Sequence, residues 1–214
     1  MIVLGLTGSI GMGKSTAAAL LRRLGVPVHD ADAAVHRLLG RRGAAVAAVA
    51  AAFPGTAGKA GIDRAALGRR VFGDPASLRR LEAILHPLVR ADTDRFLRRM
   101  AARRVPLVVL DIPLLFESGG ARRCDAIIVV SAPSFLQRAR VLARPGMDEA
   151  RFAAILAKQM PDAEKRRRAD FVVPTGLGRR LTLRRLAEIV KVASADRSRF
   201  SGKRRRHARD RSRH

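Results

Sequence analysis

The sequence predicts an α/β fold in which helices cover both faces of a parallel β-sheet. Three short apolar runs support this prediction, at Ile2 to Leu6, Val105 to Leu110 and Ala126 to Val130. Each run is continuously apolar, as parallel strands buried on both faces are. The first run also opens an order of strand, glycine-rich loop, helix and strand, which is typical of the beginning of an α/β domain.

The first helix is predicted from Ser15 to Leu24, because leucines recur on one face at helical spacing. Gly25 then provides a stop signal at the C-terminal end of this helix. A second short strand is predicted at Val26 to Val28. It leads into the acidic segment Asp30-Ala31-Asp32.

Residues 33 to 104 carry a mostly helical pattern with no convincing strand, which predicts a helical insertion. Asp74 and Pro75 mark one helix start, because aspartate is a favoured N-cap and proline fits the first turn. The pair His86-Pro87 is expected to interrupt that helix, since proline cannot donate an internal helix hydrogen bond.

The remaining core elements follow the strand at Ala126. They are a basic helix from Pro133 to Arg144, a helix capped by Asp148, a short strand at Phe171 to Val173, and a final helix carrying Leu183, Leu186 and Val190. Residues 194–214 consist mainly of Arg, Ser, Asp, Lys and His. Such a segment buries too little apolar surface to offset its ordering entropy, so we predict a basic disordered tail.

Composition and charge limit the kinds of partner. The chain of 214 residues is long enough for one compact domain with an inserted subdomain. Its formal charge of +25 favours anionic partners such as nucleotides, although the excess of arginine also fits a compositional bias. No segment reaches the roughly 18 apolar residues of a membrane span. The single cysteine, Cys124, suits a reducing compartment, so we expect a cytoplasmic protein without a membrane partner.

The strongest motif is a phosphate-binding loop, or P-loop, that follows the first predicted strand. It matches G-x-x-x-x-G-K-[ST] in full and reads Gly8, Ser9, Ile10, Gly11, Met12, Gly13, Lys14, Ser15. Glycines let the backbone curl around phosphate oxygens, and the helix N-terminus adds partial positive charge. Lys14 is expected to reach the β- and γ-phosphates, the Ser15 hydroxyl to ligate Mg²⁺, and Thr16 to contact the α-phosphate.

A P-loop alone does not separate a kinase from a GTPase or a motor. The sequence contains no guanine-selective N-K-x-D motif, and the chain is too short for a large mechanochemical ATPase. A helical insertion between the second strand and the next core strand is the arrangement of small-molecule kinases.

Further motifs lie in register with the loop. They are Asp30-Ala31-Asp32, Ile62 to Phe72, Leu85-His86-Pro87, Pro113 to Glu117, and Gln159 with Lys165 and Ala169-Asp170. Together with Leu4 to Thr16, they resemble the motifs of the dephospho-coenzyme A kinase family, in the same order from about residue 2 to residue 190. The chain departs from that family at Ser9, at Met12, and at Val173 to Gly176, where family members often carry an Asn.

The resemblance implies a P-loop NTPase-type fold, with a three-layer parallel sheet, a helical substrate-binding insertion and a lid. The single kinase domain covers residues 1–193: a core at about 1–32, 105–132 and 170–193, an acceptor-binding insertion at about 33–104, and a lid at about 133–169. The implied reaction transfers the γ-phosphoryl of ATP to the ribose 3′-hydroxyl of dephospho-coenzyme A, with Mg²⁺ as cofactor. This reaction is the final step of coenzyme A biosynthesis.

Three carboxylates are candidates for the chemistry. The resemblance implies that Asp32 orients the acceptor hydroxyl and accepts its proton, and Asp30 is a candidate partner for Mg²⁺ or water. The alternative for Asp32 is a helix N-cap. Asp111 ends a strand, as a Walker B acid does, and is a candidate Mg²⁺ ligand, whereas the alternative is a turn-forming residue before Pro113.

Arginines and one histidine complete the candidate site. Arg140 and Arg144, one helical turn apart in the lid region, are candidates to stabilise the transferring phosphoryl group and to bind ATP. The alternative is that both are ordinary surface arginines. His86, Arg64 and Arg69 are candidates for binding the acceptor, although a structural role is the favoured interpretation of His86.

Two other functions remain open at this point. A nucleoside monophosphate kinase shares the P-loop, the insertion and the lid. A nucleic-acid-binding P-loop protein would use the basic tail, which we expect to bind polyanions only weakly and without specificity. The sequence leaves a monomer and a weak homo-oligomer equally open.

Overall fold

The computed structural model describes residues 1–71 and 73–195. The disordered tail was predicted to begin at Ser194, but Ser194 and Ala195 still belong to the last helix of the described chain, because that helix packs its apolar face on the core as far as Ala193. The rest of the predicted tail, from residue 196 onward, lies outside the described residues. The chain divides into two compact units. The sheet unit is formed by Met1–His29 together with the chain from Arg104 onward, and the helical unit by Asp30–Arg103.

The sheet unit is built on one parallel sheet. Its strands are β1 (Ile2–Thr7), β2 (Val28–Asp30), β5 (Leu107–Asp111), β6 (Ala126–Ser131) and β7 (Phe171–Pro174). They lie side by side in the order β2-β5-β1-β6-β7, and β1 runs parallel to both β5 and β6. The helices are α1 (Lys14–Arg23), α6 (Ser134–Leu142), α7 (Glu149–Ala157), α8 (Asp162–Arg168) and α9 (Arg179–Ala195), with a short 3₁₀ helix at Gly120–Arg123.

Strand β1 shows why the apolar runs are continuous. Every residue of β1 is buried. Ile2, Leu4 and Leu6 join a core shared with α1 and α9. On the opposite face, a Cβ added to Gly5 would lie 2.8 Å from Cys124 Sγ, so this glycine allows the covering layer to approach closely. The predicted α/β fold with a parallel sheet is confirmed.

The helical unit consists of α2 (Ala31–Leu39), α3 (Val46–Ala52), α4 (Arg64–Val71) and α5 (Pro75–Ala102), with a hairpin of two-residue strands, β3 (Ala57–Gly58) and β4 (Gly61–Ile62). The hairpin corrects the expectation that this region holds no strand. The helical unit has an apolar core of its own, which includes Leu39, Val49, Phe53 and Leu67.

Helix α5 contradicts the prediction that His86-Pro87 interrupts it. Asp74 caps its N-terminus by accepting a hydrogen bond from Ala76 N–H, as predicted. The helix then continues through Pro87 to Ala102. Proline removes one internal hydrogen bond, but residues buried on both sides of it, including Leu81 and Phe96, hold the two halves in one helix.

Several boundaries differ from prediction by one or two residues. Strand β5 covers Leu107–Asp111 rather than Val105 to Leu110, and α1 covers Lys14–Arg23 rather than Ser15 to Leu24. Strand β2 begins at Val28 rather than Val26, and Pro27 C=O already accepts a hydrogen bond from Val109 N–H. Helix α6 ends at Leu142, so the predicted end at Arg144 is two residues too late. Each helix in the described part of the chain is too short or too polar to cross a membrane.

Candidate active site

The P-loop connects β1 to α1, and its geometry explains why glycine occurs at three of its positions. Gly11 and Gly13 adopt φ angles of 77° and 85°, in the left-handed region that favours glycine. A Cβ on Gly8 would overlap the Val130 side chain, so the loop lies directly against β6. The N-cap of α1 is Gly13, which has no side chain to cap the helix, and the first turn contains no acidic residue. The N-terminal N–H groups of α1 therefore remain available to an anion.

Lys14 and Asp111 form a partly buried ion pair beside the loop. Lys14 is the first residue of α1, and its Nζ lies 2.7 Å from Asp111 Oδ1. Asp111 is the last residue of β5, and its side chain is only 3% exposed. An ammonium has three hydrogen-bond donors, so the pair leaves Lys14 with donors for a phosphate group.

The residues near the loop fit a magnesium ion in their chemistry. Asp111 offers a carboxylate, and Ser15 offers an exposed hydroxyl in the first turn of α1; both are hard oxygen ligands. In residues 1–71 and 73–195 no three His, Cys, Asp or Glu side chains cluster as a metal site. Magnesium is normally bound through one or two protein oxygens, with phosphate and water completing its coordination, so a smaller protein ligand set is consistent with it.

Arg140 and Thr175 form one wall of the loop. Arg140, on α6, donates hydrogen bonds to Gly11 C=O at 3.4 Å and to Thr175 C=O at 2.8 Å. Thr175 Oγ1 in turn donates to Met12 C=O at 2.7 Å. A Cβ added to Gly13 would lie 3.0 Å from Thr175 Oγ1, so Thr175 sets the space beside the loop. Arg144 lies beyond the end of α6 and is exposed.

Two glutamines hold the tip of the loop. Gln137 Nε2, on α6, donates to Ile10 C=O at 2.8 Å. Ile10 N–H donates to Gln159 Oε1 at 3.0 Å, from the segment between α7 and α8. No site role was predicted for Gln137, Gln159 or Thr175, because each lies more than 120 residues from the loop and outside the P-loop motif. The family motif that contains Gln159 was the one available signal.

A buried lysine supports the segment that follows α7. Lys165 is fully buried, and its Nζ lies 2.9 Å from Glu117 Oε1. The same carboxylate oxygen accepts a hydrogen bond from Met160 N–H at 2.9 Å. Burial acts to raise the pKa of Glu117, but Lys165 and the Met160 N–H outweigh it and hold that pKa below its ordinary value. Glu117 thus stays ionised while it connects two loops.

In the helical unit, Asp30 rather than Asp32 caps α2. Asp30 Oδ1 accepts a hydrogen bond from Ala33 N–H at 2.9 Å. The interpretation of Asp32 as the cap is therefore wrong. Asp32 is exposed in the first turn of α2, and its carboxylate is not used to begin the helix.

The three candidate acceptor-binding residues lie on two helices of the helical unit. Arg64 begins α4, and its Nη1 lies 2.6 Å from His36 Nε2. Arg69 is exposed on the same helix, and His86 is exposed on α5. The roles predicted for these residues, and for those around the P-loop, stay predictions.

A loop of this form, followed by a helix and facing an acidic residue at the end of the neighbouring strand, binds nucleoside triphosphates. The sheet order and the P-loop give the chain the fold of P-loop kinases. Residues 2–176 match the family described as Dephospho-CoA kinase. The chain belongs to the dephospho-CoA kinase family.

Similar proteins extend this result. The Dephospho-CoA kinase of Paramagnetospirillum magneticum is 69% identical over 166 residues, covering 78% of each chain. A protein of Thermus thermophilus, known from a crystal structure, is 41% identical with a TM-score of 0.77, covering 89% of this chain and 96% of that one. The Dephospho-CoA kinase from Campylobacter jejuni, 24% identical with a TM-score of 0.61 over 88% of this chain and 95% of its own, shares the fold.

Proposed function

We propose that this chain transfers the γ-phosphoryl group of ATP to the ribose 3′-hydroxyl of dephospho-coenzyme A, which yields coenzyme A and ADP. The observation that carries the proposal is the P-loop with its Lys14–Asp111 ion pair, in a chain of the dephospho-CoA kinase family. Coenzyme A synthesis ends with this reaction in organisms that use the family's enzymes. ATP is the donor of the phosphoryl group, and it is also the ligand of the P-loop.

The phosphate groups of ATP are held by the P-loop backbone and Lys14. The positive φ angles at Gly11 and Gly13 are ones with which a backbone can curl around phosphate oxygens, and the uncapped start of α1 adds its partial charge. The residues assigned to ATP are Gly8, Ser9, Ile10, Gly11, Met12, Gly13, Lys14, Ser15, Thr16 and Arg144. Phosphoryl transfer needs positioning and charge stabilisation more than covalent chemistry, which suits such a site.

A magnesium ion is assigned to the Ser15 hydroxyl and the Asp111 carboxylate. The ion supplies neutralisation of phosphate charge when it is bound. Asp111 already bonds to Lys14, so the carboxylate also keeps the ammonium beside the loop.

Asp32 is assigned as the residue that orients the acceptor hydroxyl and takes its proton late in the reaction. Its support is an exposed carboxylate that α2 does not need, since Asp30 caps that helix. Arg140 is assigned to the charge on the transferring group, together with Lys14. His86, Arg64 and Arg69 are assigned to the acceptor, which carries phosphate groups of its own.

The proposal assigns the helical unit to acceptor binding and residues 133–169 to a lid. It also includes a cytoplasmic location, where ATP is supplied and where the buried free thiol of Cys124 stays reduced. The tail from residue 194 is proposed to bind polyanions weakly, as a net charge of +25 favours.

The test is ADP release with ATP and Mg²⁺, coupled to an indicator reaction. Dephospho-coenzyme A is compared with AMP, CMP, dTMP and adenosine as acceptors. Turnover confined to dephospho-coenzyme A is the expected result. Turnover on a nucleotide instead would keep a P-loop kinase and replace the acceptor. A folded, ATP-binding protein without any acceptor-dependent turnover would overturn the proposed activity.

The role of Asp32 is tested with Asp32→Asn in the same assay. Loss of a general base lowers kcat by about 10²–10⁴-fold, with little change in the KM for ATP. Asp74→Asn is a matched control, because it makes the same change at another exposed aspartate of the helical unit and asparagine still caps a helix. Equal kcat for Asp32→Asn and Asp74→Asn would contradict the assignment.

A further inference from the structure

The tip of the P-loop is fixed by two side-chain amides that come from outside the motif. Ile10 accepts a hydrogen bond from Gln137 through its C=O, and donates one to Gln159 through its N–H. The two bonds therefore hold the two peptide groups on either side of Ile10. Backbone groups in a loop rotate freely unless they are bonded, so these contacts decide which way the loop amides face.

The orientation of Gly11 N–H follows from the first bond. The peptide between Ile10 and Gly11 is trans, so its C=O and N–H point in opposite directions. With the C=O turned towards Gln137 on α6, the Gly11 N–H faces away from that helix. The second bond acts in the same way on the preceding peptide, where Ser9 C=O accepts from Met12 N–H at 3.1 Å on the side opposite Gln159.

Gln137 is held firmly enough to act on the loop. Gln137 is buried, and Val141, one helical turn later, is fully buried. A Cβ added to Gly11 would lie 2.6 Å from Val141 Cγ2 and 2.9 Å from Gln137 C=O, so α6 packs directly on the loop. Arg140, on the same helix, reaches Gly11 C=O.

Gln159 is held through its neighbour in the chain. Met160 N–H bonds to Glu117, and Glu117 is paired with the fully buried Lys165. The position of the Gln159 amide is thus tied to the loop after β5 and to α8. Both glutamines are thus anchored by contacts within the chain itself.

We propose that Gln137 and Gln159 are positioning residues that orient the P-loop amides for the phosphate groups of ATP. They do not touch the reacting atoms. Their effect is on nucleotide affinity, because a loop whose amides must reorient on binding binds phosphate more weakly. The proposal rests on ATP as the ligand of the loop, and it goes further than the proposed function because it adds two residues that the motif does not contain.

Two substitutions of equal charge test it. Gln159→Glu keeps an oxygen that accepts the Ile10 N–H, whereas Gln137→Glu places a carboxylate against the Ile10 C=O and removes the donor. Both add one negative charge near the loop, so charge alone affects them alike. Gln159→Met removes the acceptor without adding charge. Ala139→Met is the control, since Ala139 is exposed on α6 between Arg138 and Arg140.

The ATP dissociation constant is measured by calorimetry without acceptor, together with KM for both substrates and the Tm of the nucleotide-free protein. We expect Gln137→Glu and Gln159→Met to weaken ATP binding by about tenfold, the weight of one hydrogen bond. We expect Gln159→Glu to retain most of the affinity, Ala139→Met to match the wild type, and the KM for dephospho-coenzyme A to stay unchanged.

Equal loss of ATP affinity in the two glutamate variants would show a charge effect and overturn the proposal. Unchanged ATP affinity in Gln159→Met would overturn it as well, and this variant adds no charge that threatens folding. Parallel increases in both KM values with a lower Tm would show a general structural role instead. Failure of dephospho-coenzyme A turnover would remove the proposed acceptor, but the binding measurement would still decide this proposal.

Discussion

Replacing Glu117 with glutamine removes the carboxylate that pairs with Lys165. The lysine is fully buried, and its ion-pair partner among the described residues is Glu117. A buried ammonium without a counter-charge destabilises a protein by about 3–5 kcal/mol. The lower end applies here, because the Glu117 side chain is 20% exposed and glutamine still offers an oxygen to Lys165 and Met160.

The reverse substitution, Lys165→Met, is expected to be milder. It removes the buried charge and fills a similar volume, while Glu117 keeps partial solvent access and the hydrogen bond from Met160 N–H. We therefore expect a loss of about 1 kcal/mol or less for Lys165→Met, because replacing one member of a buried ion pair with an apolar side chain of similar volume costs little when the remaining carboxylate keeps access to solvent. The double variant should be more stable than Glu117→Gln alone, since it contains no unpaired buried charge.

Thermal unfolding followed by circular dichroism measures the difference, since the chain has no Trp or Tyr to serve as a fluorescent probe. In a protein of this size each kcal/mol shifts Tm by about 2–4 °C, so a loss of about 3 kcal/mol lowers Tm by roughly 6–12 °C. The reasoning is refuted if Lys165→Met is the more damaging change. It is also refuted if the two single effects simply add in the double variant.

Three further predictions follow from contacts described above. The pKa of Glu117 is lowered in the folded protein, so the ionised carboxylate stabilises wild type relative to Glu117→Gln. This extra stability is complete above the ordinary glutamate pKa of 4.5 and is lost as pH falls through the lowered pKa. Urea unfolding midpoints of the two proteins between neutral and acid pH measure it. Gly13→Ala should weaken ATP binding at least tenfold, because the added Cβ meets Thr175. Gly25→Ala is the control: Gly25 also has a positive φ, 78°, but nothing lies near its added Cβ, so the KM for ATP should stay unchanged. Asp74→Ala should lower Tm by a few degrees through the lost cap of α5, and Asp74→Asn should not; an unchanged Tm in the alanine variant would contradict the capping role.

Local sequence patterns predicted the elements that are determined by residues close together in the chain. The P-loop could be located because a strand, three glycines and a helix start are adjacent in the chain. The strands of the sheet were predictable because burial on both faces demands apolar residues throughout. The caps at Asp74 and Asp148 followed for the same reason, since a cap and its helix are neighbours.

The wrong predictions have a common physical origin in packing. Proline at position 87 reads as a helix break, but apolar side chains on both sides of it are buried and keep α5 continuous. The hairpin of β3 and β4 has two residues in each strand, too few for any alternation to be recognised. The N-cap alternative was placed on Asp32, but the helix begins at Ala31, so the capping position falls on Asp30.

The side chains around the P-loop could be predicted only where a motif named them. Lys14 and Asp111 each had a local signal, a motif lysine and an acid at a strand end, although the bond between them spans 97 positions. Thr175 and Gln137 had none, because a threonine or glutamine in a helix or loop is ordinary. Their contacts with the loop exist only once the parallel sheet has been assembled.

The position of β1 has a consequence for how the chain folds. The first strand to be synthesised lies between β5 and β6, and it pairs Leu4 with Val109 and with Ala126. Val3 N–H also bonds to the Asp125 carboxylate, 122 residues later. During synthesis β1 must therefore wait until β5 and β6 have emerged, while the helices of Asp30–Arg103 can already find one another. We expect the N-terminal strand to be the exposed, aggregation-prone element of the nascent chain, and a chaperone that binds apolar segments to act there first.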